Sequence, residues 1–392
     1  MKDRFSLSFK LFYFIFIGAV GAFTPYINVY LENSMGLTGT QIGLISSLSL
    51  IIGVCVIPIW GIAGDKTKKY NALLKFSLAG TLVMVALYYQ AATYPMIIVC
   101  AIGLELIRLG TTPMADTLAT DYCHRTGGNY GSIRGMGSLG YMLAGMFVGF
   151  MADHFGLDGP MFATYAALLI IAISISFTFP KDSKKEDIAE DEQLKKGSFK
   201  DLLTNKNFLF ILFFAMFSVI IVDSAMFYGG NHLINTLGGP ESSVSWMTFM
   251  TVLPEVAFLM VASNIIKKLG FKKFYIIAML TIIFRFGVYS ITDNLYIFLA
   301  ASVVHCFGVA VTTVGNLMYI RNSVSPAVLG TAITLLNAAL TLGRAIFSYI
   351  FGFIYEHGDS YMIFMVSTVA FVLMLLVLLK TKRFDHLDKE TV

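Results

Sequence analysis

The chain has 392 residues, of which 57% are hydrophobic and 13% charged, with a formal net charge of +4. Soluble globular chains carry roughly 25% charged residues, so this composition excludes an ordinary water-soluble domain. The small positive balance says little by itself, and the four cysteines (Cys55, Cys100, Cys123, Cys306) stand singly, without the spacing of a metal site or a disulfide framework.

Apolar runs recur down the whole chain, and about 20 apolar residues suffice for a helix to cross a hydrocarbon layer of about 30 Å. In the first half they are predicted near 9–31, 41–63, 71–91, 95–119, 133–152 and 161–179. A basic start leads into the first run from Leu11 with no small-residue cleavage site, which reads as a retained span and not a removed signal. The only long charged stretch, KDSKKEDIAEDEQLKKGSFKDLLTNK, follows over 181–206, and six further runs fall near 207–229, 244–266, 271–291, 295–320, 328–354 and 360–380. Assigning alternate loops to opposite faces gathers Lys2, Arg4, Lys10, Lys66 to Lys69, Arg125, the central stretch, Lys267 to Lys273, Arg321 and the tail from Lys380 on one face. The opposite loops, near 32–40, 92–95, 153–160, 231–243, 292–294 and 356–360, hold no Lys or Arg. The positive-inside rule then puts both termini in the cytoplasm. The expected fold is an all-α membrane protein of twelve transmembrane helices: a six-helix bundle over 1–180, a cytoplasmic linker over 181–206, and a second bundle over 207–392 with a short tail.

Charges inside the apolar runs mark the candidate site, because each costs at least ~2.5–3.5 kcal/mol in hydrocarbon and needs a partner or a wet path. In the first half these are Glu105, Arg108, Asp116 and Arg134, within ELIRLGTTPMADTLATDYCHRTGGNYGSIRGMGSLGY. Glu105 and Arg108 are spaced for a local neutralising pair on one helix face. Asp116 is open to two readings, a site carboxylate or a structural pair with Arg108 or Arg134, and Arg134 is either a site residue or a headgroup anchor. In the second half Glu255 follows Pro254 with no basic residue within a turn or two and is either a proton-exchanging acid or hydrogen-bonded to Arg285 or a helix hydroxyl. Asp223 and Arg285 are read as candidates for a cross-helix pair, and His305 and Arg344 sit in apolar spans. Tyr26, Asn28, Tyr228 and Asn231 add polar groups to the first and seventh spans. Gly135-Met-Gly137-Ser-Leu-Gly140 spells a dinucleotide fingerprint, but no strand precedes it, so the glycines are read as small residues for close helix packing.

The loop GIAGDKTKKY (61–70) resembles the signature loop of the major facilitator superfamily, with Gly61, Gly64, Asp65 and Lys66 carrying the match, and SNIIKKLGFKK (263–273) stands at the equivalent place in the second half. The resemblance implies two parallel six-helix halves around a central substrate site. FYFIFIGAVGAFTPYINVYLENSMGLTGTQIGLI, Asp116, and the turn NYGSIRG resemble the branch that contains lactose permease, the nucleoside–proton symporters and the phenylpropionate transporters. By that resemblance Arg134 grips substrate, Asp116 is its carboxylate partner and Tyr141 stacks on the ligand. Glu255, Asp223, Arg285 and His305 match polar positions of the second half that serve proton coupling, and Tyr26, Asn28, Tyr228 and Asn231 approach the cavity. The chain departs from the branch one helical turn after His305, where Gly308 replaces a proton-carrying glutamate.

No catalytic motif appears, so the expected function is not enzymatic. It is proton-coupled import of a small polar solute, such as a sugar, glycoside or nucleoside, by alternating access. Small aromatic acids, sodium in place of protons, export of amphipathic compounds and a non-transporting sensor stand as alternatives. The protein is expected to be a monomer of the inner membrane with no cofactor, metal or nucleic-acid partner.

Overall fold

The computed structural model describes residues 2–179, 202, 204–310, 314–325 and 328–381, and these are helical almost throughout. The predicted linker over 181–206 and the tail beyond Lys380 lie largely outside the described residues.

The chain forms two compact units, one of Met1–Ile188 with Gly239–Thr248 and one of Ala189–Gly238 with Phe249–Val392. The first contains α1 (Lys2–Phe23), α2 (Ile27–Asn33), α3 (Gly39–Thr67), α4 (Tyr70–Tyr89), α5 (Tyr94–Arg108), α6 (Thr111–Thr126), α7 (Tyr130–Phe155) and α8 (Asp158–Ser176). Side chains that compete for backbone bonds start these helices. Thr38 and Gln41 form a reciprocal capping box on α3, and Asn129 accepts from the Ser132 amide at the start of α7. Gly127, with φ of 70°, ends α6 in the left-handed region that glycine adopts without strain.

Within this unit α1 packs along α7 and α8, while α4 contacts α5, α6 and α8. Glycines set how closely α1 and α7 approach. A Cβ on Gly140 would lie 1.9 Å from the Phe14 carbonyl oxygen, and one on Gly21 would lie 2.2 Å from that of Tyr141. Gly135 of the same GxGxxG string faces open space within 4 Å. The string is therefore a helix-packing feature at Gly140 and neutral at Gly135. Gly140→Ala is expected to destabilise by about 1–3 kcal/mol, because neither backbone can yield. Gly135→Ala should be neutral or slightly stabilising. Thermal unfolding of the purified protein in detergent separates the two, and equal melting temperatures would refute the packing role.

Gly239–Thr248 also belongs to this unit. The Asp153 carboxylate accepts from the Ser242 amide at 2.9 Å, and the Tyr26 hydroxyl donates to the Gly145 carbonyl and lies 2.8 Å from Ser245 Oγ. Burial, with Asp153 and Asp158 nearby, pushes the Glu241 carboxyl up from the usual carboxylate range.

The second unit holds α9 (Lys206–Met226), a helical turn at Gly229–Asn231 that continues as a π-helical turn at His232–Thr236, α10 (Ser242–Leu269), α11 (Phe271–Tyr289), α12 (Leu295–Ala301), α13 (His305–Ala310), α14 (Asn316–Ser323), α15 (Leu329–His357) and α16 (Ser360–Lys380). Of α10, Phe249 onward belongs to this unit. α9 packs on α15, and α11 packs on α16 and α13.

Ten helices of the described residues are long and apolar enough to cross a membrane. The predicted spans near 271–291 and 295–320 are not among them. Lys272, Lys273 and Arg285 load α11 with charge, and of the second segment Leu295–Gly308 forms a shorter apolar helix while residues 311–313 lie outside the described residues.

Candidate functional site

Each unit contains its own polar cluster. In the first, Asp116 on α6 is held by two tyrosines. Tyr13 of α1 and Tyr130 of α7 both donate to its Oδ1, the latter at 2.8 Å. Arg134 lies one helical turn beyond Tyr130 on α7, and no ion pair within 4 Å joins it to Asp116 among the described residues. The expected Asp116–Arg134 pair is therefore not formed. Two phenols satisfy the carboxylate, and the Arg134 fork keeps its donors available. Tyr141 follows two turns later on α7 and is half-buried. Glu105 and Arg108 form the anticipated local pair, with one guanidinium nitrogen 2.7 Å from both carboxylate oxygens.

The signature loop caps the end of α3. Asp65 accepts from the Tyr70 hydroxyl at 2.6 Å, and Lys68, with φ of 55°, closes the helix. A Cβ on Gly64 would press on the Tyr70 ring at 2.7 Å, whereas Gly61 faces open space.

In the second unit Arg285 is the centre. It is 2% exposed, donates through Nε to the Tyr289 hydroxyl at 2.9 Å, places Nη1 2.6 Å from His305 Nδ1, and points Nη2 at Met226 Sδ. The Tyr289 hydroxyl in turn lies 2.6 Å from Ser302 Oγ. The packing of α11 on α13 makes this cluster, and that of α9 on α15 makes another, in which Asp223 meets Arg344 at 2.6 Å. The anticipated Asp223–Arg285 pair is thus replaced by Asp223–Arg344, which also supplies the partner that Arg344 lacked in the sequence. Both side chains of that pair are about a third exposed, at 38% and 30%. Neutralising one partner should therefore cost between the ~0–1 kcal/mol of a surface pair and the ~3–5 kcal/mol of a broken buried one. Asp223→Asn and Arg344→Gln are each expected to lower the melting temperature, and the double variant to recover most of the loss. Additive losses would show that the pair does not couple.

Glu255 on α10 has no hydrogen bond or ion pair among the described residues. Tyr228 is buried, donates to the Ser348 carbonyl and stacks on Tyr355; Asn231 and Asn28 are buried as well. The tyrosines that hold Asp116, and Tyr289 and Ser302 beside Arg285, were not singled out in the sequence. Only Tyr130, inside the NYGSIRG turn, carried a signal.

No cluster of three or more His, Cys, Asp or Glu side chains that could hold a metal occurs among the described residues. Arginines beside neutral hydrogen-bonding groups, Arg285 buried and Arg134 half-buried in apolar helices, form a binding arrangement for a solute and not a covalent catalytic one. The MFS_1 like family profile matches residues 6–366. The chain belongs to this family of major facilitator transporters. It is therefore a multi-pass membrane transporter and not an enzyme. As a member of the family it is 29% identical to the maltose permease of Geobacillus stearothermophilus over 381 residues, covering 96% of this chain and 95% of the permease. It is 20% identical to the probable 3-phenylpropionic acid transporter of Escherichia coli (strain K12) over 368 residues, 93% of this chain and 95% of that protein. Its fold matches the crystal structure of the nucleoside transporter NupG with a TM-score of 0.82 at 16% identity, over 96% of this chain and 100% of that one.

Proposed function

We propose that this transporter imports a sugar or glycoside, with nucleosides as the next class, by proton-coupled symport through alternating access. The observation that carries the reading is the second-unit cluster. A buried Arg285 is tied to His305, and Glu255 stands without a cation to fix its charge. A carboxylate so placed in an apolar segment is suited to exchange a proton, and such residues are functional by default. The near full-length likeness to a maltose permease favours a glycoside.

In this reading Arg134 grips the solute through its planar fork, Tyr141 stacks on a ring face, and Asp116, oriented by Tyr13 and Tyr130, accepts from substrate hydroxyls. Tyr26, Asn28, Tyr228 and Asn231 line the approach. Glu255 carries the proton, with Arg285 and His305 tuning the site and Asp223 coupled through Arg344. The Gly-rich loop at Gly61, Gly64, Asp65 and Lys66 is the conformational element. Both termini lie in the cytoplasm of a cell whose inner membrane holds the chain, by the distribution of Lys and Arg. Uptake of labelled disaccharides, nucleosides and aromatic acids into proteoliposomes under an imposed pH gradient tests the reading. Accumulation of one class, abolished by a protonophore, is the expected result. Efflux driven by the opposite gradient would replace it with export.

A further inference from the structure

His232 lies in the second unit, far in sequence from the Arg285 cluster, at the first residue of the π-helical turn His232–Thr236. Such turns interrupt a helix at some cost and recur at functional sites. The side chain is 0% exposed, and its Nε2 has no hydrogen-bond partner among the described residues. Nδ1 lies 2.7 Å from Ser360 Oγ, which is also 2.8 Å from Thr236 Oγ1 and donates to Asp359 Oδ1 at 3.2 Å. Ser360 is buried while Asp359 is exposed, so one hydroxyl links a surface carboxylate to an enclosed imidazole. Three rings surround the imidazole, with centroids at 5.3 Å (Phe298), 4.9 Å (Tyr361) and 5.1 Å (Phe364). The charged groups that face it are Asp359 and Asp293, and Asp293 accepts from the Tyr361 hydroxyl at 2.5 Å. All of these loops belong to the face without Lys or Arg.

We propose that His232 is a second proton-binding site of the transporter, loaded from the Lys- and Arg-free face through Asp359 and Ser360. The step balances within the three groups: protonated Asp359 gives its proton to Ser360 Oγ as the Ser360 hydroxyl proton passes to His232 Nδ1, leaving a carboxylate and an imidazolium. The aromatic cage replaces the missing acceptor, since a cation within about 6 Å of ring centroids is attracted by the rings' quadrupoles. Burial works against the imidazolium, and the rings and the two aspartates offset part of that cost. Because the ring starts the π-helical turn, its charge acts on the local geometry of the segment that follows α9.

The inference rests on the transport reading above for its consequence but not for its measurement. Histidine-labelled protein in nanodiscs is titrated by NMR between pH 4 and 8, with Ser360→Ala beside the wild type and His232→Gln to assign the resonance. The expected result is a His232 resonance that titrates within the range and shifts in Ser360→Ala. A resonance that keeps one neutral tautomer throughout would overturn the proposal. In proteoliposomes, wild-type uptake should change severalfold per unit of pH on the Asp359 face, and His232→Gln and Asp359→Asn should each flatten that dependence. Profiles that superimpose on the wild type would overturn it as well. Should His232→Gln fail to fold, Ser360→Ala, which keeps the imidazole and removes the link, decides the case. A titrating His232 in a protein that transports none of the substrate panel would sink the transport reading and leave the proton site standing.

Discussion

Glu255→Gln is expected to abolish accumulation of substrate against its gradient while leaving exchange of internal for external substrate. The argument is one of charge and shape. Glu255 follows Pro254 inside α10 and has neither a cation nor a hydrogen-bond partner among the described residues. A carboxylate held by a fixed cation keeps its charge through a transport cycle, whereas one without a partner changes protonation with its surroundings. Glutamine preserves the volume and the neutral form but carries no proton. The accumulation ratio should fall to one, while counterflow stays within about twofold of the wild type. That split between uphill transport and exchange marks the loss of coupling rather than of binding. If the variant still concentrates substrate, the proton travels on another acid, and Asp223, already fixed by Arg344, is the weaker alternative.

The second large effect is expected at Arg134. Its fork is left free because Tyr13 and Tyr130 satisfy Asp116. A charged donor set that makes bidentate bonds to a substrate contributes roughly 1.5–3 kcal/mol, or about 10- to 150-fold in Kd. Arg134→Ala should lose that affinity, measured by calorimetry or by substrate protection against thermal unfolding. Arg134→Lys should recover little, since a point charge lacks the planar fork. Arg125, which pairs with Asp121 on its own helix, provides the control, and Arg125→Ala should leave Kd unchanged. Unaltered affinity in Arg134→Ala would mean that its guanidinium serves the lipid headgroups instead.

Much of this organisation was legible in the residues. The length and spacing of apolar runs, the one-sided distribution of Lys and Arg, and the glycine-rich loop at 61–70 point to a helical transporter of the superfamily to which the chain belongs. The Glu105–Arg108 pair was legible too, because three-residue spacing on a helix settles it without tertiary information. The cross-helix partnerships were not. Tyr13 lies 103 positions from Asp116, and nothing in an aromatic-rich first helix distinguishes it from its neighbours. Asp223 faces Arg344 and not Arg285 because α9 lies against α15, a choice of neighbour that composition and periodicity do not encode. A local feature of the predicted tenth span was hidden for a related reason: its hydropathy reads as one run, while the backbone passes through a 3-10 turn at Ser302–Val304 directly before His305. His232 was missed because it fell in a segment read as a loop, although its burial and the π-helical turn place it inside a bundle.

The central claim is that solute and proton move together. Proteoliposomes in a lightly buffered medium, with no imposed gradient, report this directly through a pH electrode. Addition of the substrate that wins the uptake panel should raise the external pH transiently, and a protonophore should erase the signal. Glu255→Gln should give no alkalinisation while still exchanging labelled substrate. Substrate entry with no accompanying pH change, or with acidification, would contradict proton symport.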